Sequence, residues 1–134
     1  MEFTSVNKIF ENSFKKNWDR PAISNYRGET LHYKDVARRM EKLHIMFEEC
    51  GLQKGDKVAI LMMNCLEWLP IYFGILKSGC MAVPLNFRYT ADEIRYCLNL
   101  ADADALVFGP EFIERVNAIS GDIPAVDNLF FVGK

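Results

Sequence analysis

The chain has 134 residues, 50% of them hydrophobic, which is enough for one α/β-sized domain over residues 1-134 with a proper core and too little for a second. A formal net charge of -2 gives no electrostatic reason to bind nucleic acid or an anionic membrane. The start MEFTSVNKIFENSF lacks the apolar core of a secretory signal, and the most apolar stretch, Leu66 to Leu76, is too short for a transmembrane span and is broken by Pro70, so a cytoplasmic protein is expected.

In chain order, Ser5 to Asn17 places Val6, Ile9, Phe10 and Phe14 on one helical face, with Ser5 as the N-cap. Ala22 to Tyr26 and Glu29 to Tyr33 flank Arg27-Gly28 and read as an N-terminal hairpin with glycine at the turn. A long helix follows from about Tyr33 to Cys50, its Val36, Met40, Leu43, Phe47 and Cys50 recurring at helical spacing, with Gly51 as the stop.

Lys57 to Met62 is predicted to be a buried strand. Asn64, with Glu67 three residues on, has the spacing to cap the next helix. Pro70 conflicts with that cap, because a proline six residues in removes an interior hydrogen bond. Either the helix starts later or it bends there.

The run LKSGCMAVPLN from Leu76 encodes a junction. Ile71, Ile75 and Leu76 give a helix an apolar side, Gly79 stands where a left-handed C-cap is needed, and Met81 to Val83 suit a buried strand. Pro84 ends that strand because it lacks a ladder donor. Helix, turn, strand and loop in this order form one unit of a parallel sheet.

Thr90-Ala91-Asp92-Glu93 is a capping box, followed by Ile94, Cys97, Leu98 and Ala101 at helical spacing. Ala105 to Phe108 makes a strand, and Pro110 opens a helix whose stripe is Phe112, Ile113, Val116 and Ile119, ended by Gly121. Leu129 to Val132 gives the last strand. Strands alternating with helices imply right-handed crossovers and a parallel sheet flanked by helices, with ligands beyond the carboxyl ends of the strands. The loops at those ends hold Met63 and Asn64, then Asn86 to Tyr89, then Gly109 and Pro110.

Catalytic signatures are sparse. The chain has no GxGxxG, GxxxxGK[ST], HExxH or GxSxG, and no clustered metal-ligand set. Cys50, Cys65, Cys80 and Cys97 stand 15, 15 and 17 residues apart, which fits neither a CxxC knuckle nor a redox pair, and they are expected to be reduced, mostly buried thiols. His32 and His44 lack partner spacing, and Glu48-Glu49 and Asp102 to Asp104 read as solvated helix ends. Trp68, Tyr72 and Phe73 either line an acyl tunnel or, at helical spacing, belong to the core.

Five pieces in register carry a family resemblance: Pro21-Ala22-Ile23, LHYKDV from Leu31, GLQKGDKVAIL from Gly51, LKSGCMAVPLN from Leu76 and NFRYTADEIRYCL from Asn86. Spanning about four fifths of the chain, they resemble the N-terminal region of the adenylate-forming superfamily, the last piece looking most like its acyl-CoA synthetase branch. The resemblance implies a three-layer N-terminal subdomain of the acyl-CoA synthetase fold, a truncated part of a larger AMP-binding domain.

It further implies a parent enzyme that uses ATP, Mg²⁺ and CoA on a small carboxylic acid, with acyl-adenylate as the intermediate. The phosphate loop, adenine motifs, hinge and C-terminal lysine of the family lie downstream of the matched pieces, and none occurs in these residues. Hence no catalytic or metal residue is assigned, none of those cofactors is expected to bind this segment tightly, and apolar surface left uncovered favours self-association. His32 stands where the family usually has serine or threonine before the tyrosine, a weaker N-cap by about 0.5 to 2 kcal/mol.

Arg88 matches a position where some acid-CoA ligases meet the phosphates of CoA, and a guanidinium fork suits that geometry. The alternative is an exposed arginine paired with Asp92 or a neighbouring carboxylate. Asn86 is expected to support the loop through its side-chain amide. Two other readings stay open: a standalone non-catalytic binding domain of the same fold, and a peptide-synthetase-type adenylation domain.

Overall fold

Local stops and caps set the lengths of the main helices in the computed structural model, which describes residues 4–133. Helix α1, Val6–Asn17, begins at Ser5, whose Oγ accepts from the Lys8 N–H at 3.2 Å. Strands β1, Pro21–Ser24, and β2, Thr30–His32, pair antiparallel as the expected hairpin, with Gly28 at φ 86° in the turn.

Helix α2, Tyr33–Glu49, follows at once. Its weak histidine cap is offset by Asp35, whose carboxylate accepts from the His32 backbone N–H at 2.9 Å. At the other end Gly51 sits at φ 81°, donating to Glu48 O, while Leu52 donates to Phe47 O, which together close a Schellman motif.

The remaining elements are β3, Lys57–Leu61; α3, Trp68–Lys77; β4, Met81–Pro84; α4, Ala91–Ala101; β5, Ala105–Phe108; a 3-10 turn, Pro110–Phe112; α5, Ile113–Ile119; and β6, Asn128–Phe131. The junction after α3 is a second Schellman motif: Gly79, at φ 74°, donates to Leu76 O and Cys80 donates to Ile75 O. Helix α4 carries the full capping box, Thr90 Oγ1 accepting from Glu93 N–H and the Glu93 carboxylate accepting from Thr90 N–H.

Four strands form one parallel sheet in the order β4-β3-β5-β6. The connection out of β3 runs one way and the later ones run back, so with constant crossover handedness the helices must lie on opposite faces. They do: Phe47 of α2 and Ile71 and Ile75 of α3 pack with Val58, Ile60 and Val107 on one face. Ile94 and Leu98 of α4 and Val116 and Ile119 of α5 pack with Ala59, Leu61 and Leu106 on the other. This is the three-layer α/β architecture expected of the sequence. A satellite cluster of Leu31, Val36 and Met40 lies under the hairpin and α1.

Several expectations are corrected. Asn64 does not cap α3, whose N-cap is Glu67 with no side-chain cap bond. Pro70 is therefore its third residue, in the first turn, where no intrahelical donor is lost. Met81 to Val83 do not form a buried strand: β4 is an edge, and Met81 is 55% exposed. The apolar face of α1 is only partly covered, since the helix has no buried residue and Val6 and Ile9 remain exposed.

The thiols are not mostly buried either. Cys80 is buried and Cys97 half-buried, while Cys50 and Cys65 are exposed. No described helix is long and apolar enough to cross a membrane.

Candidate functional site

Strand order decides where a site can form. The connection from β3 leads to β4 on one side and the chain then returns to β5 on the other, so the switch in strand order lies between the carboxyl ends of β3 and β5. A cavity of about 330 Å³ occupies that place. Met62, Met63, Asn64, Cys65 and Glu67 after β3, Gly109, Pro110 and Glu111 after β5, and Val132 and Gly133 after β6 line it.

Gly109 leaves the space that the Glu111 carboxylate occupies: a Cβ there would meet Glu111 Oε2 at 2.9 Å, and that flexible side chain would have to move aside. Among the described residues, two carboxylates and no basic side chain line the cavity. Such a lining repels polyphosphate, so these residues alone do not fit ATP. Nor do they fit its magnesium: no group of three or more His, Cys, Asp or Glu among the described residues could hold a metal ion.

Glu67 anchors the cavity to the helices behind it. Arg39 of α2 reaches it at 3.1 Å. Burial pushes the Glu67 carboxyl up, but hydrogen bonds from its own backbone N–H, Arg39 and the Cys65 thiol outweigh that and hold it below the usual glutamate value. Burial pushes the Cys65 thiol up, and the neighbouring Glu67 adds to it, which makes Cys65 a poor nucleophile.

A second bridge joins α2 to α3 through Lys77 and Glu41, with the Glu41 carboxyl lowered by the hydrogen bond and then the charge of Lys77. Gly74 lets the two helices approach closely, since a Cβ there would lie 2.6 Å from Leu43 Cδ2. His44 also spans them, its Nδ1 lying 3.1 Å from Ser78 Oγ.

Both bridging glutamates have folded values below 4.5, so their contribution is complete above that pH and is lost as pH falls through the lower folded values. Melting temperature is accordingly expected to drop on acidification below about 4.5, and to drop less steeply in a Glu41→Gln, Glu67→Gln double variant. Equal slopes in thermal melts across that range would contradict the bridges.

The loop after β4 stands apart from the cavity, and neither Asn86 nor Arg88 lines it. Asn86 Oδ1 accepts from Arg88 N–H at 2.9 Å, and Asn86 O accepts from Tyr89 N–H at 3.0 Å. Arg88 is exposed, its guanidinium 5.5 Å from the centroid of the Phe87 ring. It makes no salt bridge among the described residues, because Asp92 pairs instead with Arg95 at 3.2 Å. Trp68 and Tyr72 stack at 5.4 Å on the α2/α3 face of the core, and Phe73 packs against Phe10 at 4.3 Å.

Sequence reasoning picked out Met63, Asn64, Gly109 and Pro110 from the strand ends, and the structure brings all four to one cavity. It missed Glu111 and Arg39. Glu67 was read only as a capping partner. The signal for Glu111 was its position just past a strand end, whereas nothing local marks the pairing of Arg39 with Glu67 across 28 residues.

A family model described as AMP-binding enzyme matches residues 10–130. The chain belongs to the AMP-binding enzyme family. It is 31% identical over 118 residues to a long-chain-fatty-acid--CoA ligase of Escherichia coli, a match covering 87% of this chain and 21% of that protein. With long-chain fatty acid transport protein 6 of Mus musculus it shares 29% identity over 122 residues, 90% of this chain and 19% of the other.

Among solved structures, a long-chain-fatty-acid-CoA ligase from Archaeoglobus fulgidus matches with a TM-score of 0.90 at 20% identity, covering 100% of this chain and 29% of that one. At that identity the likeness speaks for the fold. The chain thus spans about a fifth of the length of the curated relatives it matches.

Proposed function

We propose that this chain is the N-terminal part of an ATP-dependent, AMP-forming acid-CoA ligase acting on a fatty or related carboxylic acid in the cytoplasm. In that reaction the carboxylate attacks the α-phosphate of ATP and expels pyrophosphate. The CoA thiol then attacks the acyl carbon, and AMP leaves. Mg²⁺ supplies charge stabilisation for the phosphates in the complete enzyme.

The residues described here contribute a scaffold and one ligand-facing loop. The observation that carries this reading is the family match over almost the whole chain, joined to a switch-point cavity whose lining, among the described residues, has carboxylates and no cation. Phosphate chemistry then falls to other residues of the enzyme, and the segment by itself is inactive. Arg88 is assigned to a phosphate of CoA, with Asn86 holding its turn. Its exposure and its lack of an ion pair among the described residues support the assignment.

Grafting residues 10–130 in place of the matching segment of the E. coli ligase tests the reading. The folded chimera is expected to form acyl-CoA from a long-chain fatty acid, ATP and CoA. A chimera that melts cooperatively yet forms no thioester with any acid would argue for a non-catalytic binding domain instead.

A further inference from the structure

The turn that carries Arg88 is held from a distance. Arg115, on α5, donates through Nη1 to the carbonyl oxygens of Phe87 at 3.0 Å and Tyr89 at 3.1 Å, the two residues that flank Arg88. Its guanidinium lies 5.1 Å from the centroid of the Phe112 ring, and Phe112 is itself 1% exposed. Arg115 is half-buried and has no carboxylate partner among the described residues. A cation donating to two backbone carbonyls while lying on an aromatic face makes charge-assisted hydrogen bonds that hold the backbone it touches.

We propose that Arg115 is a positioning residue that clamps the Asn86–Tyr89 turn onto α5 and thereby fixes where Arg88 presents its guanidinium to a phosphate-bearing ligand. Three contacts converge on one residue. The Arg88 N–H is held by Asn86 Oδ1, and the carbonyls on either side are held by Arg115. The Arg88 side chain is left exposed over the Phe87 ring, with no ion pair among the described residues.

A rigid backbone under a free cation lowers the ordering cost of binding, which is how preorganisation raises affinity. The fork matters as well as the charge. A lysine has no planar face to lie on Phe112 and no rigid pair of donors for the two carbonyls. The ligand class rests on the proposed ligase reading, whereas the clamp rests only on the hydrogen bonds.

The test separates the two. In the 134-residue chain, Arg115→Met keeps an apolar stem over Phe112 and removes both donors. Amide hydrogen exchange at Arg88 and Tyr89 is expected to quicken about tenfold, the size of one net hydrogen bond, while amides of β3 and β5 keep their rates. Arg115→Lys is expected to lie between. A general packing role would quicken the sheet as well, and that result, or unchanged exchange at Arg88 and Tyr89, overturns the clamp.

In parallel, CoA is titrated while the Arg88 Nε–H resonance is followed by NMR. The wild-type resonance is expected to move, and Arg115→Met is expected to lose most of that movement with Arg88 still present. If the wild-type resonance stays still while the local exchange effect is seen, the clamp stands and the phosphate reading of Arg88 falls.

Discussion

Phe47→Ala is expected to remove about 3 to 5 kcal/mol of stability, the usual cost of truncating a buried aromatic side chain. Phe47 is 1% exposed and belongs to the cluster that joins α2 and α3 to β3 and β5. Its ring lies 5.2 Å from that of Phe130, so it also ties the last strand to the second helix. Domains of this size have only about 5 to 15 kcal/mol in total, so the variant should show a much lower urea midpoint with little change in slope. A loss under about 0.5 kcal/mol, within the range of surface substitutions, would mean that α2 is not docked on the sheet as described.

The isolated chain is expected to self-associate, and Leu129→Lys is expected to return it to the mass of a single chain in light scattering. Strand β6 has one neighbour in the sheet, so its other side offers an open row of backbone donors and acceptors. Along it Phe130 turns toward Phe47, while Phe131 turns the other way toward Phe108. Alternation puts Leu129 on the face of Phe131, and these two are 47% and 49% exposed. An open ladder beside uncovered apolar side chains is a template for another strand. A wild-type chain that stays monomeric and leaves ANS dark would show that this edge needs no cover.

Much of the fold was legible because it is encoded locally. Thr90 with Glu93, Gly51 and Gly79 each act within one turn of their own helix, so their spacing alone predicts the ends that are found. What failed depends on contacts between distant segments. Met81 to Val83 have the composition of a buried strand, yet strand order places them at an edge, and order is not written in periodicity. Exposure of Cys50 and Cys65 likewise follows from which side faces the sheet.

The same division holds for the site. Strand ends point to Asn64 and Gly109, because ligand sites follow from topology once the parallel sheet is inferred. Arg115 carries no such mark. It reaches Phe87 and Tyr89 across 28 and 26 residues, and only the packing of α5 beside the turn brings them together. Pro70 is instructive in a different way: it conflicted with a cap at Asn64, which left either a later start or a bend, and the helix has the later start.

In the proposed ligase these residues supply a scaffold and one loop, and phosphate chemistry lies with other residues. ATP-pyrophosphate exchange by the 134-residue chain, measured with a long-chain fatty acid and Mg²⁺ present, tests it most directly. The expected result is exchange at background level with every acid tried. Acid-dependent exchange above background would contradict it, since it would place adenylate formation in a cavity lined by Glu67 and Glu111 and, among the described residues, by no basic side chain.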